Sequence, residues 1–291
     1  MVTHRSIAQL ALWAALLCAA QAPTAPPKRV ISTAPSITET LFALGLGDRV
    51  VGVTTFCRYP PEAARKPKIG NYLRPDLEAI VALRPDLVIA ERSMVRQALS
   101  LPGLKLRLLE VDDSTIDGVL RSIQTMGDAM GEGAKAQALA GSIKDQLSLT
   151  RRSTVNLPRK KVLFVVGRTP GRVEDLIAAG SGSYLDELVR IAGGENIFAG
   201  AAVSYAKINL EEVLARDPDV VIDMGEMART ANVTEQQKRE VVRLWQRYPS
   251  LKAVRQKRVF AVASDIFVVP GPRLAEAARE IARLVHPEAF P

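Results

Sequence analysis

Two cysteines and two histidines in 291 residues leave little material for several kinds of chemistry. A bare Zn2+ or Mn2+ site wants several histidines and carboxylates, and His4 and His286 are the whole histidine supply. A Ser-His-Asp triad would have to recruit His286, almost at the chain end. The phosphate loop G-x-x-x-x-G-K-[ST], the nucleophile elbow G-x-S-x-G and the zinc motif H-E-x-x-H are all missing. Gly180-Ser181-Gly182-Ser183 lacks the dinucleotide-binding spacing and reads as a loop before a helix starting near Tyr184. Aromatic residues are scarce, at 5%, with no stripe suited to stacking bases. The basic excess is mild, 39 Lys and Arg against 31 acidic residues. Its densest patch, Arg159-Lys160-Lys161 after Arg151-Arg152, flanks a predicted helix C-terminus, where cations complement the dipole. Nucleic-acid binding is therefore not expected, and neither is catalysis.

The composition is otherwise that of a folded globular chain, 47% hydrophobic and 24% charged, with 19 Gly and 18 Pro. The length suits one large domain or two medium ones, each able to bury its own core and to bind a ligand between them. At the N-terminus, His4 and Arg5 precede an apolar stretch from Ile7 to Ala20, broken by Gln9 and followed by Pro23, Pro26 and Pro27. This reads as an export signal over residues 1–22, too short for a membrane span, and the mature protein is expected to be periplasmic. Lipoprotein anchoring at Cys18 is the lesser alternative, because Leu16 and Leu17 stand where a lipobox wants small residues. Cleavage near Ala20 or Ala22 removes Cys18. Cys57 then stands alone, without an intramolecular disulfide, as a free thiol, a site contact or a buried small hydrophobe.

The organising feature is an internal repeat. Residues 76–89, DLEAIVALRPDLVI, are echoed at 209–222, NLEEVLARDPDVVI, with identity at 77, 78, 82, 85, 86, 88 and 89. Each copy predicts a short amphipathic helix, capped by Asp76 or Asn209, then a Pro-Asp turn and a strand. The strand runs Leu87–Ala90 and Val220–Ile222 do not alternate, as expected where both sheet faces are buried. Similar runs lie at Val30-Ile31, Val50–Val53, Leu106–Leu109, Val162–Val166 and Val259–Val262. An amphipathic helix is predicted over Ile116–Met130, with Val119, Leu120, Ile123, Met126, Ala129 and Met130 in register. Gly131-Glu132-Gly133 punctuates it, and a second long helix follows to about Thr154, carrying Ala138, Leu139, Ile143, Leu147 and Leu149. The fold expected is α/β: two Rossmann-like lobes, 28–131 and 158–291, joined by a single connecting helix, 132–157, with a ligand cleft between them. A helical connector is stiff, so limited hinge closure is expected.

Together, Ser32–Gly45 (STAPSITETLFALG), Tyr59-Pro60-Pro61-Glu62-Ala63, the repeated Leu-Glu box and Ala192–Phe198 (AGGENIF) resemble the helical-backbone substrate receptors of ABC importers. The likeness covers nearly all of the mature chain. That family carries cobalamin, haem or ferric siderophores, and Phe56–Ala63 (FCRYPPEA) looks most like its vitamin B12-binding branch. The resemblance implies that Glu78 and Glu211 dock into arginine pockets of an inner-membrane ABC permease and ATPase complex; by themselves, they read as acidic residues favoured at helix N-termini. It implies no enzyme activity, no cofactor of its own, and a cobalamin-type corrinoid as transported ligand, with haem or a ferric siderophore as the alternative; apart from the resemblance, α/β lobes with a cleft host many activities, which leaves an exported α/β enzyme as the second alternative. A monomer is expected. Tyr72 and Tyr205, each six residues before its glutamate, are expected to face one another across the cleft where the best-known cobalamin receptor has tryptophans; they also read as two surface tyrosines beside capping turns. Phe56, Asp265 and Phe267 resemble ligand-contacting positions, although Phe56 and Phe267 taken alone read as core. Cys57 and Arg58 are expected beside Phe56, the thiol approaching a metal centre and the guanidinium a carboxylate, amide or phosphate. Arg168, in a loop after Val162–Val166, is expected to meet an anionic ligand or else to sit in a solvated loop.

Overall fold

The computed structural model describes residues 25–71, 74–92, 106–225, 233–262 and 264–290. The stretch expected to be an export signal, residues 1–22, lies outside these residues, as does Tyr72. Among the described residues, no helix is long and apolar enough to cross a membrane.

Two sheets form the frame. In the N-terminal lobe, β1 (Val30–Ser32), β2 (Val50–Val53), β3 (Leu87–Glu91) and β4 (Leu108–Val111) pair in parallel in the order β2-β1-β3-β4. In the C-terminal lobe, β5 (Lys160–Gly167), β6 (Leu176–Ala179), β8 (Tyr205–Ile208), β9 (Val220–Asp223) and β10 (Val259–Ala261) take the order β10-β9-β5-β6-β8, and the short β7 (Gly194–Asn196) lies along β5. β6 runs antiparallel to β5 and to β8, so this second sheet is mixed. β4 begins two residues later than its apolar run, Leu106–Leu109, predicts. β6, β7 and β8 escaped the search for apolar runs because β7 and β8 carry polar or glycine positions and β6 ends on two alanines. β8 does alternate, Tyr205 and Lys207 outward, Ala206 and Ile208 inward, as an edge strand with one buried face should.

The helices are α1 (Pro35–Ala43), α2 (Pro61–Ala64), α3 (Leu77–Ala82), α4 (Ile116–Met130), α5 (Gly133–Thr154), α6 (Tyr184–Ile191), α7 (Leu210–Arg216), α8 (Glu235–Trp245), α9 (Lys252–Arg255) and α10 (Leu274–Val285). Thr115 caps α4 through its hydroxyl to the Gly118 N–H, and Gly131 ends it at φ +77°, where only glycine is unstrained. α5 then runs 22 residues, about 33 Å at 1.5 Å per residue, and packs on α4, α6 and α10. Ile143 and Leu147 are buried on it, whereas Leu149 is 56% exposed. Two residues beyond Leu147 rotates a side chain to the far face of a helix, so Leu149 leaves the apolar stripe.

The duplication extends to the backbone. Arg84 and Asp217, 133 positions apart, both adopt positive φ, +46° and +44°, where each helix turns into the Pro-Asp corner. The aspartates of that corner do equivalent work: Asp86 accepts the backbone N–H groups of Lys28 and Arg29 at 2.7 and 3.0 Å, and Asp219 accepts that of Lys161 at 2.8 Å. Each therefore ties its strand to the first strand of its own sheet. Alternate residues of these strands enter different cores, which is why their sequences do not alternate. Leu87 and Ile89 face a central cluster while Val88 and Ala90 face an outer one; Phe164 faces the centre while Leu163 and Val165 pack outward around Trp245. The central cluster is continuous through both lobes, with Ile37, Ile123, Ile143, Phe164, Leu188 and Ala278 as members. α4, α5, α6 and α10 join the two inner sheet faces in this cluster, while each lobe also keeps an outer cluster of its own, around Ile31, Ile69 and Ile80 in the first and around Trp245 in the second.

The AGGENIF segment is structural. Gly193, at φ +77°, packs against His286 and Thr154 so closely that a Cβ would lie within 3.0 Å of both, and Asn196 donates to the Ala179 carbonyl and to Asp186. His286 itself is fully buried against this turn.

Candidate functional site

The carboxyl ends of the parallel strands are where α/β sheets present binding groups, because helix N-termini and irregular backbone gather there. At that end of the N-terminal sheet, Ser36, Glu91 and Asp113 come together. The Ser36 hydroxyl lies 3.3 Å from Glu91 Oε1 and 3.2 Å from Asp113 Oδ2, so a single hydroxyl proton is shared between two carboxyl groups. Burial and the neighbouring Asp113 charge push Glu91 up to about 8, and burial raises Asp113 as well. The pair therefore keeps a proton at neutral pH.

The C-terminal lobe answers with two phenols. Tyr184 opens α6, donating its hydroxyl to the Phe267 carbonyl at 2.8 Å and its backbone N–H to the Ser114 carbonyl, also at 2.8 Å. Tyr205 lies beside it at the start of β8. Its hydroxyl is pushed up to about 12 by burial and by the charges of Asp113 and Glu91, yet the residue is 46% exposed. Tyr205 is thus an accessible side chain that lies within reach of the Asp113 and Glu91 charges and beside the Tyr184 hydroxyl.

Further polar contacts hold the lobes together here. Arg273, at the start of α10, donates to Glu39 of α1 at 2.8 Å, and its guanidinium stacks 4.2 Å above the Tyr59 ring. Burial raises the Glu39 carboxyl, with Arg273 opposing. Glu187 of α6 accepts the Ile116 N–H, the first of α4, at 2.7 Å. With the central core, these contacts join the two lobes at several points.

Against this frame the expected site residues separate. Phe56 is 44% exposed in the loop after β2, with Arg58 exposed beside it, and Tyr205 is exposed on the opposite lobe. Cys57 points the other way: it is 1% exposed, with its sulfur 3.1 Å from both the Thr38 and Thr54 hydroxyls. The idea of a cleft-facing thiol near a metal is corrected, since burial raises its pKa and keeps it the neutral thiol, a poor metal ligand. Phe267 is likewise a core residue, 4% exposed and edge-on to Phe164; its backbone carbonyl, not its ring, serves the Tyr184 contact. Asp265 opens the short helical turn Asp265–Phe267 and is half-buried near Glu39. Arg168 is engaged, its Nε donating to the fully buried Asp223 at 3.0 Å. Tyr72 lies outside the described residues. Glu91, Asp113 and Tyr184 were missed by sequence reasoning, although one signal was available for Glu91: it is a lone carboxylate ending a strictly apolar strand.

Glu78 and Glu211 occupy the second position of α3 and α7. Both are exposed, and among the described residues neither has a hydrogen-bond or ion-pair partner. Asp76 and Asn209 cap their helices through the Ala79 and Glu212 N–H groups, so the caps leave both glutamates free.

The profile of the family described as "Periplasmic binding protein" matches residues 30–266. The chain belongs to that family. A vitamin B12-binding protein of Salmonella typhimurium is 30% identical over 255 residues, covering 87% of this chain and 88% of its own. Among solved structures, the periplasmic vitamin B12 binding protein BtuF of Vibrio cholerae superposes with a TM-score of 0.74 at 26% identity, covering 92% of this chain and 100% of its own. The periplasmic haem-binding protein RhuT of Roseiflexus sp. RS-1 gives 0.71 at 25% identity, covering 90% and 99%. As a family of binding proteins, it carries its ligand as cargo, with no catalysis and no resident cofactor.

Proposed function

We propose that this periplasmic binding protein captures cobalamin or a related corrinoid between its lobes and delivers it to an ABC permease, docking through Glu78 and Glu211. The observation that carries the ligand class is the near-full-length match to vitamin B12-binding proteins. The exposed aromatic side chains of Phe56 and Tyr205 on opposite lobes suit a broad, flat ligand, and the protonated Glu91–Asp113 pair offers both a donor and an acceptor to peripheral amides. Docking is supported by the duplication: two free carboxylates at equivalent points of two joined lobes form a pair for arginine recognition.

Calorimetric titration of the signal-free protein with cyanocobalamin, cobinamide and haemin in one buffer tests the ligand. Corrinoid binding at micromolar Kd or tighter, about −8 kcal/mol or better, is the expected result. Binding of haemin alone moves the assignment to the haem branch, and no heat with any of them moves it to siderophores. Replacing both glutamates, E78A/E211A, is expected to abolish stimulation of the importer while leaving ligand affinity within twofold; unchanged transport would refute the docking role.

A further inference from the structure

A cavity opens at the carboxyl ends of β5, β9 and β10, on the C-terminal lobe. Its volume is about 410 Å3, within the range of small-molecule sites and too large for a bare inorganic ion. Met224, Val241, Leu244 and Val262 give it apolar walls.

The floor is a built polar network. Asp223, fully buried, receives Arg168 Nε at 3.0 Å, Trp245 Nε1 at 2.7 Å and the Gly225 N–H at 2.6 Å. The Arg168 side chain is 3% exposed, and its Nη1 donates to the carbonyls of Thr169 and Arg172. Nη2 donates to nothing among the described residues. A guanidinium held on three sides, with its remaining N–H donors at a cavity it lines, is a preorganised acceptor site for an oxygen anion.

The rim has the matching charge. Arg243, on α8, and Arg247, in the turn that follows it, both line the cavity, and both are exposed with no partner among the described residues. Lys238 also lines the cavity but is paired with Glu235 at 2.8 Å. Of the acidic lining residues, Asp223 is committed to Arg168 and Trp245, and Glu240 accepts from Gln236.

We infer that this cavity is an anion subsite, in which Arg168 and the rim arginines Arg243 and Arg247 receive a phosphate or carboxylate carried on an apolar body. It deepens the receptor reading above and rests on it for the source of the anion: a group on the transported ligand, such as the phosphodiester of a cobalamin, or a free small acid bound independently.

The test compares the wild type with R243Q/R247Q, which keeps helix propensity and leaves the buried floor intact; an unchanged Tm establishes that the variant is folded. Four probes are titrated: cyanocobalamin, cobinamide (the same ring system without the phosphodiester), haemin with its two carboxylates, and inorganic phosphate. Expected is a loss of about tenfold for cyanocobalamin, as for removal of one charge-assisted hydrogen bond, with cobinamide within twofold. A loss confined to inorganic phosphate supports the same site with a free anion as its source. If every probe that binds the wild type binds the variant within twofold, the subsite is refuted. Should the wild type bind neither corrinoid, the corrinoid reading falls separately, and haemin and phosphate decide the cavity.

Discussion

Glu91→Gln offers a direct reading of the carboxyl pair at the meeting of the lobes. In the folded protein Glu91 holds its proton up to about pH 8, against an ordinary value of 4.5. Between those values the unfolded chain has released a proton that the native state keeps. Unfolding therefore releases a proton, and stability falls as pH rises from about 4.5 to about 8. At about 1.36 kcal/mol per pH unit, the difference sets a ceiling of about 5 kcal/mol. Relaxation around an ionised pair, with Ser36 free to turn its hydroxyl, brings the expected effect to about 2–3 kcal/mol. Glutamine preserves the shape of the protonated acid and lets Asp113 ionise without a like charge beside it. Urea unfolding at pH 5, 7 and 9 should find the variant within about 1 kcal/mol of wild type at pH 5, and more stable by about 2–3 kcal/mol at pH 9. A stability difference that does not change with pH would sink the shared-proton account.

Two other perturbations address the joints between elements. Arg273→Ala leaves Glu39, 3% exposed in its side chain, as a buried unpaired carboxylate, and should cost about 3 kcal/mol in chemical denaturation; R273M/E39Q should recover most of it, because both charges are then gone, and no recovery would show that packing on Tyr59 dominates. Trp245→Phe removes the indole donor to Asp223 while keeping an aromatic body, at a cost of about 1–3 kcal/mol, measured by the same method; a loss below about 0.5 kcal/mol would mean that water replaces the bond.

Much of this architecture was readable in advance. The apolar runs at Val30, Val50, Leu87, Val162, Val220 and Val259 lack alternation because each strand is clad on both faces, and that pattern identifies buried parallel strands without any coordinates. The capping residues Asp76 and Asn209 act locally, within one helical turn, so those helix starts were legible too. β7 and β8 of the second sheet were not, since their polar and glycine positions break up any apolar run and their pairing is decided by partners distant in sequence. The same limit governed the site. Phe56, Cys57 and Arg58 are consecutive, yet two are exposed and the middle one is enclosed by Thr38 and Thr54; a linear motif does not say which way each side chain turns.

The sequence by itself determined the class of fold, the duplication and the equivalent places of Glu78 and Glu211 in it, because local capping, helix period and a constant offset of repeat are properties of neighbouring residues. Only the tertiary structure decided that the lobes share a central core, that Glu91 and Asp113 meet over Ser36, and that Arg168 is anchored by Asp223 and Trp245. Those pairings span 22 to 77 positions of chain, and burial, which sets their protonation and strength, is a property of the assembled fold rather than of any segment.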